Sequence, residues 1–341
     1  MLQWRRLTWR HAKFMKRRTF IALCGGAVLT RPPQLRAAAA GKVYRIGYLS
    51  LGSPAAEAAR FNALRAGLAA LGYVEGNNLV IEARWLDGGK YQELPELAAE
   101  LLLLKVDVIV TYATPGVQAV QRATTSVPIV FTSLGDAVAV GVASSLAHPG
   151  GNATGNTYFI PELAAKRLEL LKEAMPGLDG AGVLFNAANP SMAPVLAALK
   201  LAAQSLNIEL AQFAVAEPAD LGDAVAAMAK KSLRAFVISE DPMLIYNIET
   251  TAELALRYRL ASSGFPESAL AGGFVAYGID FVEMWRHAAS FVDKILKGAA
   301  PADLPVEQAT KFVTIVNKKT AQAIGIEVPM SLLLRADQVV E

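Results

Sequence analysis

The chain has one cysteine, Cys24, and three histidines, His11, His148 and His287, among its 341 residues. Beyond the first forty residues cysteine is absent, which excludes a disulfide, a thiol nucleophile and a cysteine-ligated metal there. Only His148 and His287 remain in that stretch, too few to support a histidine metal site or relay. The signatures G-x-x-x-x-G-K-[ST], G-x-G-x-x-G and G-x-S-x-G are all missing. Acidic residues are missing from residues 1–40, which hold nine of the 33 Lys and Arg, leaving 24 against 30 Asp and Glu. The net charge of +3 therefore becomes about −6 without that segment, and the electrostatic case for nucleic-acid binding goes with it. Long apolar runs are lacking too: Thr19 to Thr30 is shorter than the roughly 18–20 residues that cross a bilayer core.

What is present first is an address. "MKRRTFIALCGGAVLT", from Met15, combines a basic cluster with a brief apolar centre broken at Gly25-Gly26, and Ala37 to Ala40 follow as small residues. This is the layout of an export signal with an A-x-A-like cleavage site. Arg17-Arg18-Thr19-Phe20 resembles a twin-arginine signal; Lys16 stands where Ser or Thr is common, so ordinary secretion is the other route the residues permit. Bulky Leu23 before Cys24 argues against lipid attachment. The expectation is an exported, periplasmic protein with no stable membrane insertion after cleavage.

About 300 residues then remain, more than one core usually holds, so two lobes are expected. Continuous apolar runs at Val106–Val110, Val127–Phe131, Gly182–Phe185 and Ala235–Ile238 read as parallel strands buried on both faces. Helical patterns lie between them, so the class is α/β. The pattern repeats. "RIGYLSLGSPAAEAARF" and "GAGVLFNAANPSMAPVL" each give strand, loop and helix, and "VDVIVTYATPGVQAVQ" and "LRAFVISEDPMLIYNI" follow in register. The duplicated unit is a whole lobe with a parallel sheet. The expected organisation is a signal over 1–40, an N-terminal lobe over 41–154 plus 278–304, and a C-terminal lobe over 155–277 plus 305–341. A three-segment hinge joins the lobes.

In each of the four repeats a polar residue precedes proline just after a strand: Ser53-Pro54, Thr114-Pro115, Asn189-Pro190 and Asp241-Pro242. Such pairs start helices, since the polar side chain accepts free N–H groups and proline sits where its missing donor is idle. All four fall at carboxyl ends of parallel strands, the edge where open α/β sheets hold ligands. The candidate ligand-binding residues are Ser50, Ser53, Tyr112, Thr114, Asp136, Tyr158, Asn186, Asn189, Asp241 and Tyr277. A second pattern, Phe281, Met284, Trp285, Ala288, Phe291, Val292 and Ile295, forms one helix face after a cap at Asp280-Glu283 and before a stop at Gly298.

"GYVEGNNLVIEARW", "VPIVFTSLGDAVAVGVASSLAHPGGNATG", "AYGIDFVEMWRHAASFVDKILKGAAPADLPVEQATKF" and "VPMSLLLRADQVVE" together resemble the ABC transporter substrate-binding protein family that includes the tryptophan-binding TrpX-type proteins. The resemblance covers nearly all of residues 43–341. It implies a periplasmic-binding-protein fold of the first type, two Rossmann-like lobes with a solute between them. It also implies no catalysis, no cofactor and no metal, with an ABC permease and its ATPase as membrane partners. Tyr112-Ala113 stand where relatives often carry Gly-Gly, and Ala137 follows Asp136 where proline is usual. The expected guest is a small polar solute, an amino acid or other carboxylate. Its acid group would meet N–H donors near Ser53 or Thr114, and Asp136 or Asp241 would receive an ammonium or hydroxyl. The other readings are a periplasmic sensing or accessory protein of the same fold, and an α/β enzyme.

Overall fold

The computed structural model describes residues 42–88 and 90–341, and Val43–Glu341 form one compact body. The export-signal reading lies outside the described residues. The first half runs β1 (Tyr44–Ser50), α1 (Pro54–Ala70), β2 (Leu79–Trp85), α2 (Leu94–Leu103), β3 (Val108–Thr111), α3 (Ala113–Ala123), β4 (Ile129–Leu134) and β5 (Ala153–Thr157). The second runs α4 (Ile160–Ala174), β6 (Gly180–Asn186), α5 (Met192–Ser205), β7 (Glu209–Val215), α6 (Leu221–Lys230), β8 (Ala235–Ile238), α7 (Pro242–Tyr246), α8 (Ile248–Arg257), β9 (Ala261–Gly264), α9 (Pro266–Leu270) and β10 (Val275–Ile279). The chain then returns through α10 (Phe281–Leu296) and β11 (Glu307–Gln308), and finishes with β12 (Phe312–Asn317), α11 (Lys318–Ile324), α12 (Met330–Arg335) and β13 (Gln338–Val340).

Two sheets result, ordered β11-β5-β4-β3-β1-β2 and β13-β12-β10-β9-β8-β6-β7. The order β2-β1-β3-β4-β5 in one is matched by β7-β6-β8-β9-β10 in the other, which is the duplication expected from the sequence. Every pairing is parallel except β10 with β12. The four apolar runs lie in or lead into β3, β4, β6 and β8, whose strand residues are buried except Gly180 at the start of β6. The chain passes between the sheets at residues 158–159, at 280 and at 309–311.

The return helix α10 behaves as its pattern requires. Asp280 Oδ1 accepts the Glu283 N–H at 3.0 Å, the seven apolar positions are buried, and Gly298 follows at φ +103°. α10 lies against α1, where Gly67 allows close approach: a Cβ there would stand 2.5 Å from the Arg286 carbonyl oxygen. That contact carries Trp285 to the carboxyl end of the first sheet, where its Nε1 donates to the Tyr48 hydroxyl at 2.9 Å.

The second sheet is tied together at the same end by one buried cation. Arg167, on the inner face of α4, donates through Nε to the Tyr277 carbonyl at 2.8 Å and through Nη1 and Nη2 to both carboxylate oxygens of Glu240, just past β8. Arg167 and Glu240 side chains are 0% and 2% exposed, so each charge depends on the other. Removing one partner strands a charge in the interior. Arg167→Ala is therefore expected to cost about 3–5 kcal/mol, read as a lowered denaturant midpoint; a midpoint within error of wild type would contradict this role.

Candidate functional site

The carboxyl ends of the two sheets face each other and touch through direct hydrogen bonds. From the first sheet, Thr114 Oγ1 meets Ser191 Oγ of the second. Tyr91 donates to Asp241 Oδ2 at 2.9 Å, and Arg60 Nη2 donates to Glu267 Oε1 at 2.8 Å. The Tyr246 hydroxyl, on α7, reaches Glu57 Oε2 and stands 2.7 Å from the Tyr112 hydroxyl. Its ring covers Gly52, where a Cβ would lie 2.5 Å from Tyr246 Cε2. Between the edges is a narrow cavity in which the centre of a water molecule can sweep about 20 Å³. Arg60, Tyr112, Thr114, Ser133, Phe281 and Trp285 line it from one side. Asn189, Ser191, Glu240, Asp241, Ile245 and Tyr246 line it from the other. A larger, open chamber lies beyond Tyr246 and includes Ser53, Lys90, Tyr91, Asn186 and Glu217.

The ten expected residues fall into three groups. Tyr112, Thr114, Tyr158, Asn189 and Asp241 line the inner cavity; Ser53 and Asn186 line the outer chamber. Ser50, Asp136 and Tyr277 line neither. Ser50 is buried under Tyr112, 3.1 Å from its hydroxyl. Asp136 Oδ1 accepts the Val138 and Ala139 N–H groups at 3.0 and 3.1 Å, closing a local turn. Tyr277 stacks on Phe312 at 5.9 Å, while its carbonyl holds Arg167.

Two of the four polar-proline pairs cap as expected. Ser53 accepts the Ala56 N–H at 3.2 Å, and Asp241 Oδ1 accepts the Met243 N–H at 2.9 Å. The other two are displaced. Helix α3 already starts at Ala113, which adopts φ +53°, so Thr114 sits inside the first turn and its hydroxyl is released to Ser191. Helix α5 starts at Met192; Asn189 instead accepts the Ser191 N–H at 3.0 Å and donates to Asp241 Oδ2 at 2.9 Å.

Asp241 is fully buried with four donors, from Asn186, Asn189, Tyr91 and the Met243 N–H. Burial nevertheless pushes its carboxyl above the ordinary range, against those bonds. Glu57 is the matching acid of the first lobe. It is buried, and accepts from Tyr48 at 3.1 Å and Tyr112 at 3.0 Å besides Tyr246. Desolvation raises its pKa, opposed by the nearby Arg60 and by the three hydroxyls. The Arg60 guanidinium lies 4.8 Å from the Phe281 ring centroid and 5.5 Å from that of Trp285. Burial works against its charge, but Glu267, Tyr246 and Glu57 outweigh it and hold its pKa above the ordinary value.

Sequence reasoning missed Glu57, Arg60, Tyr91, Ser191, Glu240 and Tyr246. A signal existed for the first two. Glu57 and Arg60 continue the stripe of Leu64 and Leu68 on α1, and charge on an apolar stripe marks a buried polar network.

Comparison with known proteins places the whole arrangement. This is a two-lobed α/β solute-binding fold, with the lobe edges enclosing a cavity. The model of the ABC transporter substrate binding protein family matches residues 51–340, and the chain belongs to that family. It is similar to a tyrosine-binding protein of Clostridioides difficile (strain R20291), 24% identical over 260 residues, covering 75% of this chain and 73% of that one. A conserved domain protein from Vibrio cholerae superposes with a TM-score of 0.81 at 29% identity, covering 87% of this chain and all of the other. A Streptococcus pneumonia ABC domain in complex with L-Trp superposes at 0.80 with 25% identity, covering 87% and 99%. The protein is a substrate-binding protein of an ABC transporter, and the family is one of solute binders, not enzymes. Among the described residues no helix is long and apolar enough to cross a membrane, and no cluster of His, Cys, Asp and Glu could hold a metal ion.

A carboxyl whose pKa is raised on folding favours the folded protein below its unfolded value, about pH 4.3, and loses that contribution as pH rises through the raised value. Glu57→Gln removes this loss while Asp241 stays in both proteins. The melting midpoint of Glu57→Gln relative to wild type should therefore climb between about pH 4 and pH 8. A constant difference over that range would contradict the assignment.

Proposed function

We propose that this protein is the periplasmic solute-capturing component of an ABC importer, and that it holds an amino acid or similar small carboxylate between its lobes by hinge closure. The observation that carries the reading is the set of buried polar bonds that join one sheet edge to the other, Thr114 to Ser191, Tyr91 to Asp241 and Tyr246 to Glu57. None of these can form with the lobes apart. The three chain crossings at 158–159, 280 and 309–311 are where rotation would occur. The acid group of the guest is received by the Thr114 and Ser191 hydroxyls, with the starts of α3 and α5 behind them; neither helix has a side-chain cap occupying its first N–H groups. Asp241, on the same wall, faces the ammonium. Tyrosine binding by one relative and L-Trp binding by another support an amino acid as the guest. The guest favours closure only by its greater affinity for the closed form, which a permease and its ATPase then recognise. Export by a twin-arginine or general signal over residues 1–40 agrees with this role.

Thermal-shift and calorimetric screening of amino acids and organic acids tests it. At a hundredfold excess over Kd a bound compound should add about 2.7 kcal/mol, or roughly 5–10 °C in melting temperature. Thr114→Val and Ser191→Ala should each weaken that compound about tenfold, some 1.4 kcal/mol. Stabilisation by no compound would overturn the reading.

A further inference from the structure

The inner cavity is narrow: the centre of a water molecule can sweep about 20 Å³ of it, little more than one water needs. Tyr112 and Tyr246, from opposite lobes, both line it, and they are held differently.

Apart from the Tyr246 hydroxyl 2.7 Å away, Tyr112 is anchored within its own lobe. Its hydroxyl accepts the Leu51 N–H at 2.7 Å, lies 3.1 Å from Ser50 Oγ and donates to Glu57 Oε2 at 3.0 Å. Its ring packs on Trp285 at 5.0 Å, and the residue is 3% exposed. None of these contacts is broken when the lobes separate. Tyr246 is half-buried on a five-residue helix and spends its hydroxyl across the gap, on Glu57 and Tyr112. Opening the cleft withdraws it. The backbone agrees: Ala113, next to Tyr112, holds φ +53°, a conformation unfavourable for a residue with a Cβ and kept only where the surroundings enforce it.

The position of the Tyr112 hydroxyl has a chemical consequence. The Leu51 N–H follows the carboxyl end of β1, where an open parallel sheet offers donors to an anionic guest. Here the donor is already used by the protein's own phenol, so the polar first-lobe side chains left on the cavity wall for an acid group are Arg60, Thr114 and Ser133.

We propose that Tyr112 is the specificity-determining residue of this site, a fixed filler that limits the guest to amino acids with short side chains and excludes the size of tryptophan. The inference rests on the amino-acid reading above and fixes the size class within it. The guest enters as Tyr246 withdraws, and Tyr112 stays as the first-lobe wall of the space the guest then occupies.

The test is calorimetric titration of wild type and Tyr112→Ala with glycine, L-alanine, L-serine and L-tryptophan. Wild type should prefer one of the three small probes over L-tryptophan by at least tenfold. Tyr112→Ala should bind L-tryptophan at least tenfold more tightly than wild type does. If Tyr112→Ala does not fold, Tyr112→Leu, which keeps an apolar contact with Trp285 but drops the hydroxyl and outer ring, is measured with the same expectation. Binding of small and large probes with an unchanged ranking in the variant, or L-tryptophan preferred by wild type, would overturn the size filter and leave the amino-acid reading standing. Binding of no probe by wild type or variant, with no other amino acid stabilising either, would overturn both.

Discussion

A carboxyl group in the interior must be surrounded by donors or lose its charge, and Glu57 shows how this protein meets that requirement. Two of its three hydroxyl partners, Tyr48 and Tyr112, come from its own lobe, and the third, Tyr246, comes from the other. Tyr48 is in turn held by Trp285, and Arg60, one turn along α1, brings a compensating cation that reaches across to Glu267. The lobes thus meet through a polar network whose members are complete only together, unlike an apolar seam that would tolerate sliding. Such contacts fix the geometry in which the two edges meet. The second lobe repeats the logic at Asp241, surrounded by Asn186, Asn189 and the first lobe's Tyr91.

Each lobe needs a rigid edge for this to work. In the second, Arg167 links α4, β8 and β10 just under the cavity. In the first, the close approach of α10 to α1 at Gly67 sets Phe281 and Trp285 against Arg60. Both devices belong to a single lobe and are independent of a guest. The polar contacts across the gap, by contrast, are the part of the structure a guest can bias. The family assignment, the two matched sheets and the cavity between their carboxyl ends all fit a substrate-binding protein of an ABC transporter.

Much of this was legible in the sequence, for identifiable reasons. Buried parallel strands write themselves as continuous apolar runs, and β3, β4, β6 and β8 were readable on that account. The duplicated strand order followed from the repeated strand-loop-proline pattern, and the face of α10 from its period. The site was less legible because its chemistry depends on contacts between segments far apart in the chain. Tyr246 meets Glu57 across 189 positions, and Tyr91 meets Asp241 across 150. No local pattern encodes such a meeting. Asp136 illustrates the opposite problem: an acid at a strand end looks available, yet its carboxylate is used by the turn that follows it. Thr114 had the right location but another role, since Ala113 in the left-handed region starts the helix two residues early.

The central claim is that the two lobes close on a guest, and a distance between them tests it most directly. Leu103, on the first lobe, and Leu201, on the second, are 81% and 68% exposed and suit paired spin labels after Leu103→Cys and Leu201→Cys in a Cys24→Ser background. Pulsed electron spin resonance should then give a broad or two-component distance distribution for the free protein. Saturation with the amino acid that most raises the melting temperature should collapse it to one narrow population. An identical distribution with and without that compound, at a concentration where calorimetry shows full binding, would contradict the account.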